Sequence, residues 1–302
     1  MFALLCYEIT VFKFLSNGKN KMKYTLDGLQ GKVCIITGGG GIIGTSLAIG
    51  LGNAGAKIAI VDFVKEKADE VAKIVAEKTG ATTIGVFGNV LDKATLIEAK
   101  KQINEKLGKI DILVNGAGGN SPTATTQVEF MTKDLLGDLS KGFFGLDIEG
   151  FRKVFDLNFL GTVLPTMVFA EDMTGRGGNI INISSMNSFH PLTKIPAYSA
   201  AKASINNLTE WLAVHFAKLD IRVNAIAPGF FLTDQNRFLL TDKETGNLTA
   251  RGNKIIDNTP MGRFGEPDEL IGTLLYLTSD LSKFVTGVVI PVDGGFNVYA
   301  GV

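Results

Sequence analysis

Short runs rich in Val and Ile alternate with amphipathic helical stretches over most of this 302-residue chain, and this alternation restricts its possible folds. Helical patterns such as residues 65–78 and 93–106 separate seven predicted strands, at residues 33–37, 57–61, 83–87, 110–115, 179–183, 221–225 and 288–291. Continuous apolar strands with helices between them are typical of parallel sheets. The sequence therefore predicts one α/β domain, a doubly wound parallel sheet with helices on both faces. In such a sheet, ligands bind at the carboxyl ends of the strands.

The composition argues against several other classes of protein. Thirty Lys and Arg residues balance thirty Asp and Glu residues, so the net charge indicates neither a nucleic acid nor an anionic membrane as a partner. Two cysteines, Cys6 and Cys34, do not make a disulfide framework, and a reduced cytoplasmic location fits best. From residue 22 onward, no run of 18 uninterrupted apolar residues predicts a membrane span, and two histidines predict no metal site.

Residues 1–21 differ from the rest of the chain. Their apolar stretches, residues 2–6 and 9–15, are interrupted by Glu8 and Lys13 and are too short to cross a bilayer. Basic residues follow the apolar part, which is the reverse of the order in a secretory signal. We expect an N-terminal extension that is disordered or not translated, with Met22 as the functional start and the domain at residues 22–302. An interfacial membrane anchor is the alternative.

A glycine-rich loop, Thr-Gly-Gly-Gly-Gly-Ile-Ile-Gly at residues 37–44, joins the first predicted strand to the first helix. Glycines let the backbone turn tightly and approach a pyrophosphate, which then lies at the N-terminus of the helix. A glycine run alone is equally typical of a flexible turn, but the strand before it, the helix after it and an acidic residue further on favour a dinucleotide. We expect the contacts to come from Thr37, Gly38, Gly41, Ile43 and Gly44.

The acidic residue is Asp62, at the end of the second predicted strand and 24 residues after Gly38. Its carboxylate can accept hydrogen bonds from a ribose 2′-hydroxyl, and its charge would repel the 2′-phosphate of NADP. Neither Gly40 nor Phe63 supplies a cation for that phosphate, so the sequence favours NAD over NADP. Asp62 can serve at the same time as the N-cap of the next helix.

Two further strand ends are expected at the same crevice. Asn89 and Val90 follow the third strand, where they would meet an adenine next to Phe63. Asn115, Ala117 and Gly118 follow the fourth, where the backbone would pass beside the ribose and the nicotinamide. Each segment alone is also typical of an ordinary turn at a strand end.

Tyr198 and Lys202 are four residues apart, which places both side chains on one face of a helix. A phenol is a poor base at neutral pH because its ordinary pKa is about 10. A fixed ammonium nearby favours the phenolate and would lower that pKa toward 7. Tyr198 could then exchange a proton with a substrate hydroxyl or carbonyl. A solvated surface pair has the same spacing, so the surrounding motifs decide between the two.

These motifs together resemble the short-chain dehydrogenase/reductase family over residues 28–302. The loop at residues 37–44 matches the family pattern Thr-Gly-x-x-x-Gly-x-Gly, with Ile42 in place of the middle glycine, which leaves open which amides hold the pyrophosphate. The resemblance implies a Rossmann-type fold, a homotetramer and four catalytic residues: Asn158, Ser185, Tyr198 and Lys202. It also implies that residues flanking the nicotinamide include Pro228, Gly229, Phe231 and Thr233.

The implied roles agree with the chemistry of hydride transfer. Tyr198 would be the general acid/base, Ser185 would hold the substrate oxygen, and Asn158 would carry a proton relay to solvent. Lys202 would lower the pKa of Tyr198 and bind the hydroxyls of the nicotinamide ribose. A non-catalytic nucleotide sensor is the alternative from another class of protein, and the intact catalytic residues argue against it.

The substrate is expected to contact residues 119–126, residues 186–195 and a loop at about residues 230–260. Polar residues in that loop suit a sugar acid, with Arg237 binding its carboxylate, although a solvated helix start is also compatible with this pattern. Ser185, Asn120 and Asn187 are expected to bind substrate oxygens, whereas His190 has either that role or none. The chain is similar to the D-mannonate oxidoreductase (fructuronate reductase) subgroup. The alternatives are a gluconate-type or other sugar or polyol dehydrogenase, and then a 3-oxoacyl carrier-protein reductase.

Overall fold

The computed structural model of the chain describes residues 26–232, 240–242 and 245–301. The predictions about residues 1–21, the start at Met22, and the site residues Thr233 and Arg237 therefore lie outside the described residues.

Seven parallel strands form one sheet with the order β3-β2-β1-β4-β5-β6-β7. The strands are β1 (Val33–Thr37), β2 (Lys57–Asp62), β3 (Thr83–Phe87), β4 (Ile112–Asn115), β5 (Gly178–Ile183), β6 (Ile221–Pro228) and β7 (Val289–Val292). The predicted doubly wound sheet is confirmed, and every predicted run forms a strand. The chain order reverses between β1 and β4, which makes a crevice at their carboxyl ends.

Two strand ends differ from the prediction by more than one residue, each for a local reason. β4 begins at Ile112 instead of residue 110, because the Ile110 amide donates a hydrogen bond to the Asp172 carboxylate at 3.3 Å. β6 continues to Pro228, because β7 pairs with its last four residues. The extension carries the chain to the edge of the crevice.

Helices cover both faces of the sheet. They are α1 (Ile42–Asn53), α2 (Lys65–Thr79), α3 (Lys93–Lys106), α4 (Ile148–Phe155), α5 (Gly161–Phe169), α6 (Pro196–Phe216), α7 (Ala250–Asp257) and α8 (Ile271–Thr278). Cys34 and Ile36 of β1 pack on one face with residues of α1, α2 and α8. Ile35 packs on the other face with residues of α3, α5 and α6. Both faces of the sheet are therefore buried, as the continuous apolar strands predict.

The helical stretch Ile148–Met173 is long and apolar enough to cross a membrane by length and composition alone. Half of its most apolar window is buried inside the fold, and Phe169 and Met173 belong to the core beneath the sheet. These contacts are those of a core helix.

Two segments outside the sheet border the crevice. Residues 120–147, between β4 and α4, form short 3₁₀ turns, and the Asp147 amide ties their end to the Thr123 carbonyl at 3.1 Å. The segment after β6 forms a small apolar core of its own, in which Ile255 of α7 packs with Leu240 and Phe264. Phe230, directly after β6, packs against this small core and connects it to the crevice.

Candidate active site

A cleft of about 490 Å³ lies at the carboxyl ends of β1, β4, β5 and β6. This is the reversal point of the sheet, where α/β folds of this kind bind their ligands. Twelve of the predicted site residues line it: Gly38, Gly41, Ile43, Gly44, Gly118, Asn120, Ser185, Tyr198, Lys202, Pro228, Gly229 and Phe231. The structure thus brings the predicted nucleotide loop and the predicted catalytic residues into one space.

The glycine loop is shaped by close backbone contacts. Gly38 has a positive φ of 64°, and a Cβ atom there would lie 2.7 Å from the Cα of Ala117. A Cβ atom at Gly44 would lie 2.7 Å from the Cα of Gly39. α1 follows at once, and its N-cap, Gly41, supplies no side chain to its first amides. The loop therefore leaves an uncapped helix N-terminus at the cleft, which suits a pyrophosphate.

Asp62 is held at the end of β2 by two main-chain amides. Its carboxylate accepts hydrogen bonds from Gly40 and from Val64, each at 3.0 Å. The predicted N-cap role is wrong, because the main chain continues through Val64, which is the N-cap of α2. Asp62 instead fixes the glycine loop against the strand end.

Lys67 also lines the cleft, although no motif in the sequence pointed to it. It lies in the first turn of α2, and a Cβ atom at Gly40 would be 2.8 Å from an Asp62 oxygen and 3.0 Å from the Lys67 Cβ. The Lys67 side chain therefore begins close to Gly40, the residue whose amide donates to the Asp62 carboxylate. The sequence did contain an indirect signal for Lys67. A helix that begins directly after β2 has its first turn close to the end of that strand.

Several predicted cofactor residues support the cleft from behind. The Thr37 hydroxyl accepts a hydrogen bond from the Gly116 amide at 3.2 Å. The Asn115 amide group donates to Thr166 and Asn182, each at 2.9 Å, inside the fold. Ala117 is in contact with Gly38, so these residues fix the ends of β1 and β4 relative to each other.

Phe63, Asn89 and Val90 lie at the same edge of the sheet but outside the lining of the cleft. Phe63 is exposed and its ring lies 6.1 Å from that of Phe87. The Asn89 side chain accepts a hydrogen bond from the Leu91 amide at 3.0 Å, and Val90 is buried. Their expected contact with an adenine stays a prediction.

Asn158 lies in a single π-helical turn, Asp156–Leu160, between α4 and α5. Its buried side chain donates to the carbonyls of Gly119 at 2.7 Å and Val154 at 2.8 Å, and accepts from the Gly119 amide at 3.2 Å. A Cβ atom at Gly118 would lie 2.7 Å from the Asn158 side-chain oxygen and 3.2 Å from the Lys202 Nζ. The helix distortion therefore joins the end of β4 to Lys202.

Tyr198 and Lys202 lie in the first and second turns of α6. Lys202 is buried, and its ammonium donates to the Ile183 carbonyl at 2.8 Å and lies 5.7 Å from the centroid of the Tyr198 ring. Burial lowers the pKa of Lys202 to about 8. The ammonium is therefore held at the ring of the tyrosine, with part of its charge satisfied by a carbonyl.

The pKa of Tyr198 does not shift toward 7 in the protein alone. Burial raises the pKa of the phenol, and a hydrogen bond from the Ser185 hydroxyl opposes this only in part. The expectation of a lowered pKa is thus wrong for the protein without a cofactor, because desolvation of the phenolate outweighs the hydrogen bond from Ser185. The contact with Ser185 does place the two predicted oxygen-binding groups side by side.

The predicted substrate residues are arranged around this pair. Asn120 lines the cleft and donates to the Thr125 hydroxyl at 3.0 Å. Asn187 is buried, and its main-chain amide donates to the Ser185 hydroxyl at 3.2 Å. Its side-chain oxygen has no hydrogen-bond partner among the described residues. His190 pairs with Asn297 at 2.7 Å, which indicates a loop residue tied to the C-terminal turn.

Known proteins match the chain over most of its length. A family model described as enoyl-(acyl carrier protein) reductase matches residues 41–297. An uncharacterized oxidoreductase from Haemophilus influenzae is 54% identical over 276 residues, which cover 91% of this chain and 96% of that protein.

Two solved structures have the same fold. One, from Haemophilus influenzae with bound NAD, carries a provisional assignment as a D-mannonate oxidoreductase; its TM-score is 0.86 at 53% identity, covering 91% of this chain and 98% of that one. The other is a gluconate 5-dehydrogenase from Burkholderia cenocepacia in complex with NADP and tartrate, with a TM-score of 0.76 at 32% identity, covering 90% and 98%. The fold, the cleft and these relatives agree: the chain is an oxidoreductase of alcohol and ketone groups and belongs to the short-chain dehydrogenase/reductase family.

Proposed function

We propose that this protein is an NAD-dependent oxidoreductase that interconverts a sugar acid and its keto form, with D-mannonate and D-fructuronate as the substrate pair. The observation that carries the proposal is the group of Ser185, Tyr198 and Lys202, which faces a cleft whose other wall is a glycine loop fit for a dinucleotide. The 53%-identical Haemophilus structure supports both the cofactor and the substrate class.

The bound nicotinamide supplies the hydride for reduction of the ketone and accepts it in the reverse direction. In reduction, the Tyr198 phenol donates a proton to the developing alkoxide oxygen. The Ser185 hydroxyl, already in contact with Tyr198, holds the same oxygen and stabilises its charge. In oxidation, the phenolate removes the proton from the substrate hydroxyl.

Lys202 and Asn158 act through Tyr198 and the cofactor. The Lys202 ammonium stabilises the phenolate and is placed to bind ribose hydroxyls at the floor of the cleft. Asn158 holds the Gly119 backbone beside Lys202 and would pass the proton toward solvent through water.

The preference for NAD rests on Asp62, whose carboxylate faces the place where a 2′-phosphate would sit. Lys67, which lines the cleft, would weaken that preference, because its positive charge would attract the same phosphate. We propose further that Phe63, Asn89 and Val90 contact the adenine of the cofactor.

The substrate class rests on polar side chains in the lining of the cleft, which include Asn120 and Ser185. Asn187, Arg237 and the rest of the loop at about residues 230–260 would complete the substrate site, with Thr233 and Phe231 near the nicotinamide. A gluconate-type dehydrogenase is the second candidate, and the structural similarity to the Burkholderia enzyme favours it over a 3-oxoacyl carrier-protein reductase.

We also propose a cytoplasmic homotetramer. Exposed apolar side chains on α5 and α6, among them Met167, Trp211 and Val214, support burial of this surface against another copy.

A spectrophotometric screen of the purified protein tests the function. We expect NADH-dependent reduction of D-fructuronate with a kcat/KM at least about tenfold above that of 5-keto-D-gluconate or an acetoacetyl thioester, and above that with NADPH. Preference for the thioester would overturn the substrate class. Binding of NADH with no turnover of any of these compounds would instead indicate a nucleotide sensor.

A further inference from the structure

Three segments on the substrate side of the cleft meet at one group of charges. They are the segment between β4 and α4, the loop before α6 and the segment after β6. Glu129, from the segment after β4, pairs with Lys254 of α7 at 2.5 Å. The Lys194 carbonyl, from the loop before α6, accepts a hydrogen bond from the Thr126 amide at 2.8 Å. Segments that lie far apart in the sequence are thus fastened together at this point.

The group contains more positive than negative charge. A hydrogen bond from Lys254 lowers the pKa of Glu129, and the charges of Lys254, Lys194 and Arg251 lower it further. Lys254 is paired directly with the Glu129 carboxylate, and Lys194 and Arg251 are near enough for their charges to act on it. We call Glu129, Lys194, Arg251 and Lys254 the rim cluster.

The rim cluster is connected to the cleft on each side. Asn120 lines the cleft and bonds to Thr125, next to the Thr126 that holds Lys194. Ile255, adjacent to Lys254, packs in the small core with Phe230, which also lines the cleft.

Lys194 is also close to Tyr198 in the chain. They are four positions apart and their Cα atoms are at most about 14 Å from each other, which a six-carbon acid and an extended lysine side chain can bridge together.

We propose that the cations of the rim cluster bind the carboxylate of the substrate, and that Glu129 occupies them when no substrate is present. The inference rests on the proposed function, since it assigns the end of the sugar acid that does not react. The Glu129 carboxylate, which already pairs with Lys254 within the field of Lys194 and Arg251, is the same chemical group as the one the substrate would bring.

The test compares two ketoses that differ at one carbon. D-Fructuronate carries a carboxylate where D-fructose carries a CH₂OH group, and both present the same carbonyl. The variants are Lys254→Gln, Lys194→Gln and Arg251→Gln, assayed in the full-length protein with NADH. We expect each to raise the KM for D-fructuronate about tenfold with kcat unchanged, because binding to a remote carboxylate is equal in the ground and transition states. The kcat/KM for D-fructose should stay the same.

Glu129→Gln gives a result of the opposite sign. It removes the competing carboxylate, so the KM for D-fructuronate should fall severalfold. Lys73→Gln is the matched control, because Lys73 pairs with Glu77 on the exposed face of α2, and this variant should behave as wild type.

Unchanged KM values in the three cation variants of an active wild type would overturn the inference and leave the proposed function standing. So would a change of KM in Arg237→Gln alone. A wild-type protein that does not reduce D-fructuronate at all would contradict the proposed function itself, and the inference with it.

Discussion

The ammonium of Lys202 lies 5.7 Å from the centroid of the Tyr198 ring, in a buried position where its hydrogen-bond acceptor is the Ile183 carbonyl. This arrangement concentrates two titratable groups in a poorly solvated place. Burial lowers the pKa of Lys202 to about 8 and raises the pKa of Tyr198. Each group therefore resists its charged form, and a bound cofactor has to change that balance before the phenolate can act at neutral pH.

Lys202 should make the stability of the fold depend on pH. Its pKa is about 8 in the folded protein and 10.5 in the unfolded chain, so the unfolded chain binds more protons between these values. The free energy of unfolding therefore rises with pH in this window, by about 2 kcal/mol from pH 7.5 to 9.5 for this group. Lys202→Met should lack that rise, as measured by urea unfolding at both pH values.

The comparison with Lys202→Met isolates one group among several. Burial also raises the pKa values of Cys34 and Tyr198, so these two groups lower the free energy of unfolding at alkaline pH. Both groups are present in the wild type and in Lys202→Met, so their contributions cancel in the comparison. Equal pH dependence in wild type and variant would mean that Lys202 is not desolvated as described.

Tyr198 itself should titrate differently with and without the cofactor. Since burial raises its pKa above 10.0, tyrosinate absorbance that depends on Tyr198 should be absent below pH 10 in the protein alone. Addition of NAD should lower the pKa, because the oxidised nicotinamide brings a positive charge next to that of Lys202. The difference spectrum between wild type and Tyr198→Phe measures this, and ionisation near pH 7 in the protein alone would refute it.

Asp62 and Lys67 should set the choice of cofactor between them. Asp62→Ala removes the repulsion of a 2′-phosphate and leaves Lys67 to attract it, so the ratio of kcat/KM for NAD over NADP should fall by at least about tenfold. Adding Lys67→Ala should remove the gain with NADP. Lys65→Ala is the control, because Lys65 pairs with Asp69 in the same turn of α2 and does not line the cleft. An unchanged ratio in Asp62→Ala would contradict the assigned role.

Asn158 should be important for both the fold and the site. Asn158→Ala removes three hydrogen bonds and leaves the part-buried Gly119 amide and carbonyl and the buried Val154 carbonyl without this partner, so we expect a loss of about 3 kcal/mol in the free energy of unfolding. Asn258→Ala removes a similar bond to the carbonyl four residues earlier, but at an exposed helix end, and should cost less than about 1 kcal/mol. Equal losses in the two variants would show that the π-helical turn does not depend on Asn158.

The sheet was predictable because its strands are buried on both faces, so each is a continuous apolar run that stands out from the helices. The N-cap of α2 was not predictable, because its identity depends on how many residues the main chain uses between β2 and α2. Lys67 and the rim cluster could not be found by reading along the chain. Lys67 reaches the cleft through a helical turn, and Glu129, Lys194 and Arg251 are each more than 50 residues apart.

The most direct test of the account is the substitution Tyr198→Phe, which removes only the hydroxyl that would exchange the proton. The variant should bind NADH with a Kd close to that of wild type, measured by fluorescence. Its kcat for the reduction of D-fructuronate should fall by about 10²- to 10⁴-fold. Tyr276→Phe, on the exposed side of α8, should keep full activity. A Tyr198→Phe protein that retains most of the wild-type rate would contradict the proposed mechanism.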